Sequence, residues 1–468
     1  MTNTAAVSDS TQNPLGYEKL PKLLRNFAIP SVIAMLVTSL YNIVDQIFIG
    51  QGVGYLGNAA TNVAYPLTTI CLAIALLIGI GGAARFSLEL GAGNKEKAEH
   101  STGNAITLMI LCGVVYLVII QIFIVPMLNI FGSTPDVLPY AVTYTRITAF
   151  GMPLLIITNG LSNLARADGS PKYSMVTMLL GAIINTILDP IFIFVFDMGI
   201  GGAALATIIG QAASCIMALL YIPKFRNIHL KKKYFRLKGS ICRQIIPLGM
   251  SNSFNQLALT LVQIVFNNSL TYYGAMSVYG TDIPLACCGI VMKVNAVLVS
   301  IIIGIAQGCQ PIIGFNYGAK KYPRVKGIYK LAICCALIIC SIGFIIFQFF
   351  PEPVISIFGS GSPEYMEFAV KFMRTFLFMV PVLGIQILSA NFFTAIGKAM
   401  KGLFLSLTRQ VLFLIPLILI LPIKFGIEGI LYSAPIADIA AFIVAVLLIT
   451  KELRHMNQTA AQLEQESK

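Results

Sequence analysis

The chain has 468 residues, 57% of them hydrophobic and 11% charged, where a typical soluble domain is about 25% charged. With a mean hydropathy of +0.83, this excludes a soluble enzyme or binding module and marks an integral membrane protein. The net charge of +13 would suit a nucleic-acid binder only if the bases shared one surface, and they fall instead in every second loop.

At about 20 residues per crossing, the apolar stretches amount to about twelve spanning helices. The expected fold is all-α and polytopic, with two pseudo-symmetric six-helix lobes. Residues 1–22 are polar, lack the basic-then-apolar architecture of a cleaved signal, and are expected to form a retained cytosolic tail. The first lobe covers 23–223, a basic cytosolic linker 224–243, the second lobe 244–450, and a cytosolic tail 451–468.

The first helix begins near Leu23 and contains Tyr41, Asn42, Asp45 and Gln46, a polar stripe in an apolar segment. Helices near 62–84, 102–128 and 140–166 follow. The fifth, near 173–196, places Asn185 and Asp189 four residues apart, so they share a face. A carboxylate at that depth costs about 2.5–3.5 kcal/mol on insertion scales and should face an ion, a partner group or a water-filled cavity. Asp45 and Asp189 are therefore functional candidates; the bland alternative for Asp189 is a helix-end aspartate beside Pro190. A sixth helix near 201–223 closes the half.

Lys95, Lys97, Arg166, Lys172, the cluster from Lys224 to Arg243, Lys320, Lys321, Arg324, Lys326, Lys398 and Lys401 occupy alternate loops. The loops around 52–58, 132–139, 197–199, 271–283 and 351–363 have no Lys or Arg. By the positive-inside rule both termini are cytoplasmic.

The second half repeats the first. Pro153, Asn163 and Gly169 match Pro381, Asn391 and Gly397 at an offset of 228, and Ile29–Pro30 matches Ile246–Pro247 at 217. The loop LGAGNKEK recurs as YGAKKYPR. Parallel repeats of this kind imply a pseudo-two-fold axis along the membrane normal and a cavity between the lobes. The charges are not repeated: Asp45 aligns with Val262, while the second half has Lys293, Arg409 and Asp438 in apolar runs. These read as an ion pair of Asp438 with Lys293 or Arg409, or alternatively as a gate.

The cysteines lie almost all in apolar runs and read as small core residues; the three histidines lack ligand spacing, and no metal centre is expected. GIGGAA from Gly199 follows no strand, so its glycines read as packing positions. There is no GxxxxGK[ST], HExxH or Ser/His/Asp constellation, and no enzymatic activity is expected. Prolines 30, 66, 153, 190, 381 and 416 interrupt apolar helices and are candidate bending points.

Asp45 in LYNIVDQIFIG, the NTILDP…GIGGAALAT stretch and the QPIIGFNYGAKKYPRV loop together resemble the multidrug and toxic compound extrusion (MATE) family, most similarly its MepA-like and DinF-like prokaryotic branches. The resemblance runs from Leu20 to about Lys451. It implies a secondary antiporter that exports cationic amphipathic compounds against inward Na⁺ or H⁺, and a first-lobe cation site at Asp45, Asn185, Asp189 and Thr207. The seventh and tenth helices lack the acids of the NorM-like branch, so coupling is placed in the first lobe.

A shared proton, or Na⁺ held with neutral oxygens, would neutralise the two acids, and the same site would attract a cationic cargo. Met and aromatic cavity walls suit flat cations, with Tyr41, Met35 and Met292 as candidates. The resemblance further implies a prokaryotic inner-membrane protein with a role in antibiotic resistance. No ATPase subunit is expected, and because one chain supplies both lobes, a monomer is. The alternative reading is a flippase for a lipid-linked amphiphile; anionic headgroups would call for a cavity lined with Arg or Lys, whereas the intramembrane acids sit in the first lobe.

Overall fold

A computed structural model describes residues 13–357 and 362–466. Its long helices are α1 (Leu20–Gly52), α2 (Tyr55–Gly91), α3 (Lys95–Ile130), α4 (Leu138–Ala167), α5 (Pro171–Val195) and α6 (Gly199–Lys224) in the first half. The second half has α7 (Gly239–Ala275), α8 (Asp282–Gly318), α9 (Tyr322–Phe349), α10 in two pieces (Pro363–Phe376 and Val380–Ala395), α11 (Ala399–Phe425) and α12 (Ile427–Glu466). In hydrocarbon every backbone polar group must be satisfied within its own segment, which leaves helices as the spanning form for such sequences.

Ten of these helices are long and apolar enough to cross a bilayer, and the bent α10 pair makes eleven. The twelfth, α7, has 37 residues but is diluted by Asn252, Asn255, Gln256, Gln263, Asn267 and Asn268. It runs along α2, so length and packing rather than apolarity secure its place.

Three boundaries differ from the sequence expectation. Part of the presumed tail, from Asn13, is a capped helical turn (Pro14–Tyr17) with Leu15 buried. The linker is shorter than 224–243, because α7 starts at Gly239. At the other end α12 does not stop near residue 450: Glu452 is buried between Lys398 and Lys401, and Met456 is buried too, so packing carries the helix onward.

The apolar cores separate along the chain. One joins Ala60–Ile228 residues of α2–α6 with Ile245; the other joins α7–α12 with Leu15 and with Leu23, Leu24, Phe27 and Ala28 of α1. The start of α1 thus packs with the second lobe, although its far end packs with the first, where Gly52 abuts Ile193 of α5.

The internal repeat extends to irregular features. In α4 the α-helix gives way to a 3₁₀ turn at Ala149–Gly151 just before Pro153. In α10 a 49° bend separates Phe376 from Val380, just before Pro381. Pro190 and Pro416 likewise sit at joints, beside π-helical turns at Ile191–Val195 and Thr408–Leu414. Pro30 and Pro66 lie inside α-helices. Gly169 and Gly397 both take left-handed φ, +87° and +83°. Gly93 (+79°) has as its counterpart Lys320 (+57°), so the backbone turn is repeated even where glycine is not.

From the basic loops inward to mid-span, the lobes meet through glycines. A Cβ on Gly249 of α7 would collide with the Leu77 carbonyl oxygen of α2, and one on Gly91 would collide with that of Phe315. Gly304 and Gly308 of α8 similarly back onto Val32 and Ala28 of α1. Small residues let helix backbones approach in this way. Arg166 of the first lobe, buried, donates to Gln307 of the second. The lobes are closed at the basic face.

The left-handed residue Lys320 costs its fold about 1–2 kcal/mol relative to glycine. Lys320→Gly is expected to raise the melting temperature of the purified protein and Gly93→Ala to lower it; shifts of the same sign would show that the two loops do not share this geometry.

Candidate functional site

Asp45 sits on α1 seven residues before its end, which places it about 10 Å inside the face opposite the basic loops. Asn185 and Asp189 lie on the last turns of the α-helical part of α5, both buried. Thr207 lies two turns into α6 and is half-buried. The start of α6 brings it there: left-handed Asp197 and Gly199 reverse the chain after α5, so that Thr207 returns beside Asn185.

The amide of Asn185 donates to Asp189 Oδ1 (3.1 Å) and reaches Thr207 Oγ1 (3.4 Å), whose hydroxyl donates to the Ala203 carbonyl (3.0 Å). The carboxyl groups of Asp45 and Asp189 are close enough to interact electrostatically. Three acceptors are left over: Asp45 Oδ1, Asp189 Oδ2 and Asn185 Oδ1 are buried without a hydrogen-bond partner among the described residues. No Lys or Arg pairs with either acid among the described residues. Buried acceptors without donors are costly, and an all-oxygen set of this kind suits a proton or a hard cation.

Tyr144 of α4 completes the group, with its hydroxyl near Thr207 and its ring against Ile49, Ile193 and Ala203, which with Phe48 and Val53 form an apolar cover on the side of the nearer face. Sequence reasoning missed it: a Tyr between threonines in TYTRIT gives no sign of direction, and only the packing of α4 on α6 turns it inward.

The other candidates divide. Tyr41 lies close enough to feel both acids. Asn42 is exposed and donates back to the Thr38 carbonyl of its own helix (2.7 Å), as polar residues in membrane helices do to satisfy themselves; Gln46 is exposed. Met35 is half-buried on α1, and Met292 packs on the second-lobe core. Of the three second-lobe charges, Asp438 pairs with Arg409. Lys293 is exposed on α8 and makes no ion pair among the described residues, which corrects the expectation that it could be the partner. The geometry brings Arg409 to Asp438 because the π-helical turn at Thr408–Leu414 rotates Arg409 toward α12.

The comparisons agree with one another. The MatE family profile matches residues 30–191 and 253–420. The multidrug export protein MepA of Staphylococcus saprophyticus is 26% identical over 438 residues, covering 92% of this chain and 93% of its own; MepA of Staphylococcus aureus strain N315 is 27% identical over 445 residues, with coverage of 92% and 94%. Among solved structures, the MATE multidrug transporter DinF-BH in a small-molecule complex is 34% identical, with a TM-score of 0.85 over 92% of this chain and 95% of that one. A MATE crystallised in a bent conformation has the same fold, with a TM-score of 0.87 at 22% identity and coverage of 98% and 99%.

Removing one partner of a buried ion pair costs about 3–5 kcal/mol. Asp438→Asn is expected to reduce folded protein in the membrane, and Arg409→Met in the same chain to restore it; rescue by Lys293→Met instead would overturn the pairing. The measurement is monodisperse yield by size-exclusion chromatography.

Proposed function

The chain belongs to the MatE family, and from that premise we propose that it is a secondary antiporter exporting cationic amphipathic compounds in exchange for inward H⁺ or Na⁺. The observation that carries this reading is the set of orphaned acceptors on Asp45, Asp189 and Asn185. Acidic groups in hydrocarbon with no base beside them hold a cation or proton in at least one state of the cycle.

Charge asymmetry supports a cytoplasmic basic face with both termini on that side, and the bacterial relatives support a prokaryotic cell membrane; the closed arrangement then faces outward. Asp45, Asn185, Asp189 and Thr207 would hold Na⁺ through their oxygens, or the two acids would share a proton; the chemistry supplied is neutralisation. No step needs ATP, and a single chain contains both lobes, which favours a monomer. The relatives' names, multidrug exporters and a multidrug transporter in a small-molecule complex among them, support a broad range of cationic cargo and a contribution to drug resistance.

Coupling follows from the position of α1. It is packed on α8 as far as Ser39, whose hydroxyl is 2.6 Å from that of Ser300, while Asp45 nearer its end faces Asp189 of the first lobe. Neutralising the acid pair removes a repulsion between α1 and α5. The same change alters how α1 bridges the lobes, and so which arrangement is favoured. Cargo that requires the ionised pair and an ion that neutralises it then exclude one another, which is the requirement for exchange.

Ethidium efflux from proteoliposomes under separately imposed Na⁺ and pH gradients tests this. Wild type is expected to respond to one gradient, and Asp45→Asn and Asp189→Asn to lose the response at normal yield; a wild type that moves no cation under either gradient would sink the reading. Gly249→Ala, which sets a Cβ against the Leu77 carbonyl, is expected to block closure at the basic face. It should abolish net efflux while raising the labelling of a cysteine placed at Gln307 from that side.

A further inference from the structure

The segment between α6 and α7 has an unusual construction for a connecting loop. Residues 224–243 contain Lys224, Arg226, Lys231, Lys232, Lys233, Arg236, Lys238 and Arg243 and no Asp or Glu. Its backbone is fastened to the first lobe. Asp168, at the end of α4, accepts from the amides of Arg226 (2.6 Å) and Asn227 (3.0 Å). Burial pushes its carboxyl up from the usual range, and these donors pull it back. Glu99 accepts from the His229 amide (3.1 Å) and Asn104 Oδ1 from the Lys238 amide (2.7 Å). The Asn104 amide and Thr107 hydroxyl donate to the carbonyls of Tyr234 (3.1 Å) and Phe235 (2.8 Å). Phe225, Ile228 and Tyr234 are buried beneath.

With the backbone and the apolar side chains turned inward, the bases are turned outward. Lys224, Arg226, Lys231, Lys232, Arg236 and Lys238 are exposed and make no side-chain hydrogen bond or ion pair among the described residues. Lys233 is paired with Glu96 (3.2 Å), and Lys224 lies over the Tyr173 ring (5.9 Å). Elsewhere on the same face the cations are divided: Lys95, Lys97, Lys172 and Lys320 are exposed and dispersed over separate loops, while others are engaged internally. Arg324 donates to the Glu18 carbonyl (2.6 Å) and Lys321 to that of Gly16 (3.1 Å). Lys398 and Lys401 hold Glu452, and Arg85 holds Glu89. A general excess of positive charge on one side of a membrane protein does not require that one segment be fastened along its backbone and gather six exposed bases within fifteen residues, Lys224 to Lys238.

We propose that this linker is a preformed docking surface for the anionic headgroups of the adjoining membrane leaflet, phosphatidylglycerol being the representative chemistry. It begins where the apolar span of α6 ends at Lys224 and finishes where α7 starts at Gly239, so it lies at headgroup depth. Leu237, 38% exposed between Arg236 and Lys238, offers an apolar contact to the acyl boundary. Basic groups at that depth are drawn to anionic lipid within a Debye length of the surface. Fixing the platform to α3 and α4 ties the first lobe to the leaflet while the second remains free to move.

The test titrates the detergent-purified full chain with short-chain phosphatidylglycerol, short-chain phosphatidylcholine and inorganic phosphate, following intrinsic tyrosine fluorescence. Phosphatidylglycerol is expected to bind about tenfold more tightly than phosphatidylcholine, with the preference shrinking as salt rises. Lys231→Gln with Lys232→Gln and Arg236→Gln should abolish the preference, whereas Lys320→Gln with Lys326→Gln should retain it. Glu96→Gln, which releases Lys233, should strengthen it, so the idea stays falsifiable if the triple variant does not fold. Equal binding of the two lipids, a preference unaltered in the triple variant, or displacement by inorganic phosphate at equal concentration, which would indicate a soluble-anion site, would each overturn it.

Discussion

Two carboxylates, Asp45 and Asp189, meet inside the bilayer span, and among the described residues no basic side chain balances them and one oxygen of each has no hydrogen-bond partner. Such a pair is unfavourable in a low-dielectric setting unless something mobile neutralises it. That requirement gives α1 its significance. One end of the helix belongs to the core of the second lobe and the other faces the acids of the first. One helix therefore connects the acid pair to the contact between the lobes.

The second lobe repeats the backbone and departs in chemistry. Breaks before Pro153 and Pro381 and left-handed Gly169 and Gly397 recur in register. The second lobe's buried acids are paired, Asp438 with Arg409 and Glu452 with Lys398 and Lys401. A closed ion pair needs no ion from outside, whereas an open acid pair does. Two lobes built on one plan thus divide into one whose buried acids are unpaired and one whose buried Asp438 is paired.

Closure at the basic face depends on close backbone contact. Where Gly249 meets Leu77 and Gly91 meets Phe315, no side chain intervenes, so these helices either touch or separate without an intermediate cushion. Close-packed interfaces respond to a bias by switching arrangement rather than by deforming gradually. The absence of Cβ atoms at a few positions therefore decides how closely the lobes approach.

Much of this was legible in the sequence because it follows from local chemistry. Apolar runs of bilayer length become helices, since the backbone has no other way to satisfy itself in lipid; matched prolines and glycines reveal the duplication; and Asn185 and Asp189 share a face by helical spacing alone. What decided the rest was tertiary packing. That Asp45 reaches Asp189, that Tyr144 turns toward Thr207, and that Arg409 rather than Lys293 pairs with Asp438 depend on how separate helices rotate against one another. The polar α7 shows the same limit, since it is held by α2 and not by its own hydropathy. Spacing along one helix fixes which residues share a face; which face meets which neighbour is set only when the helices pack, because many distant contacts compete for that choice at once.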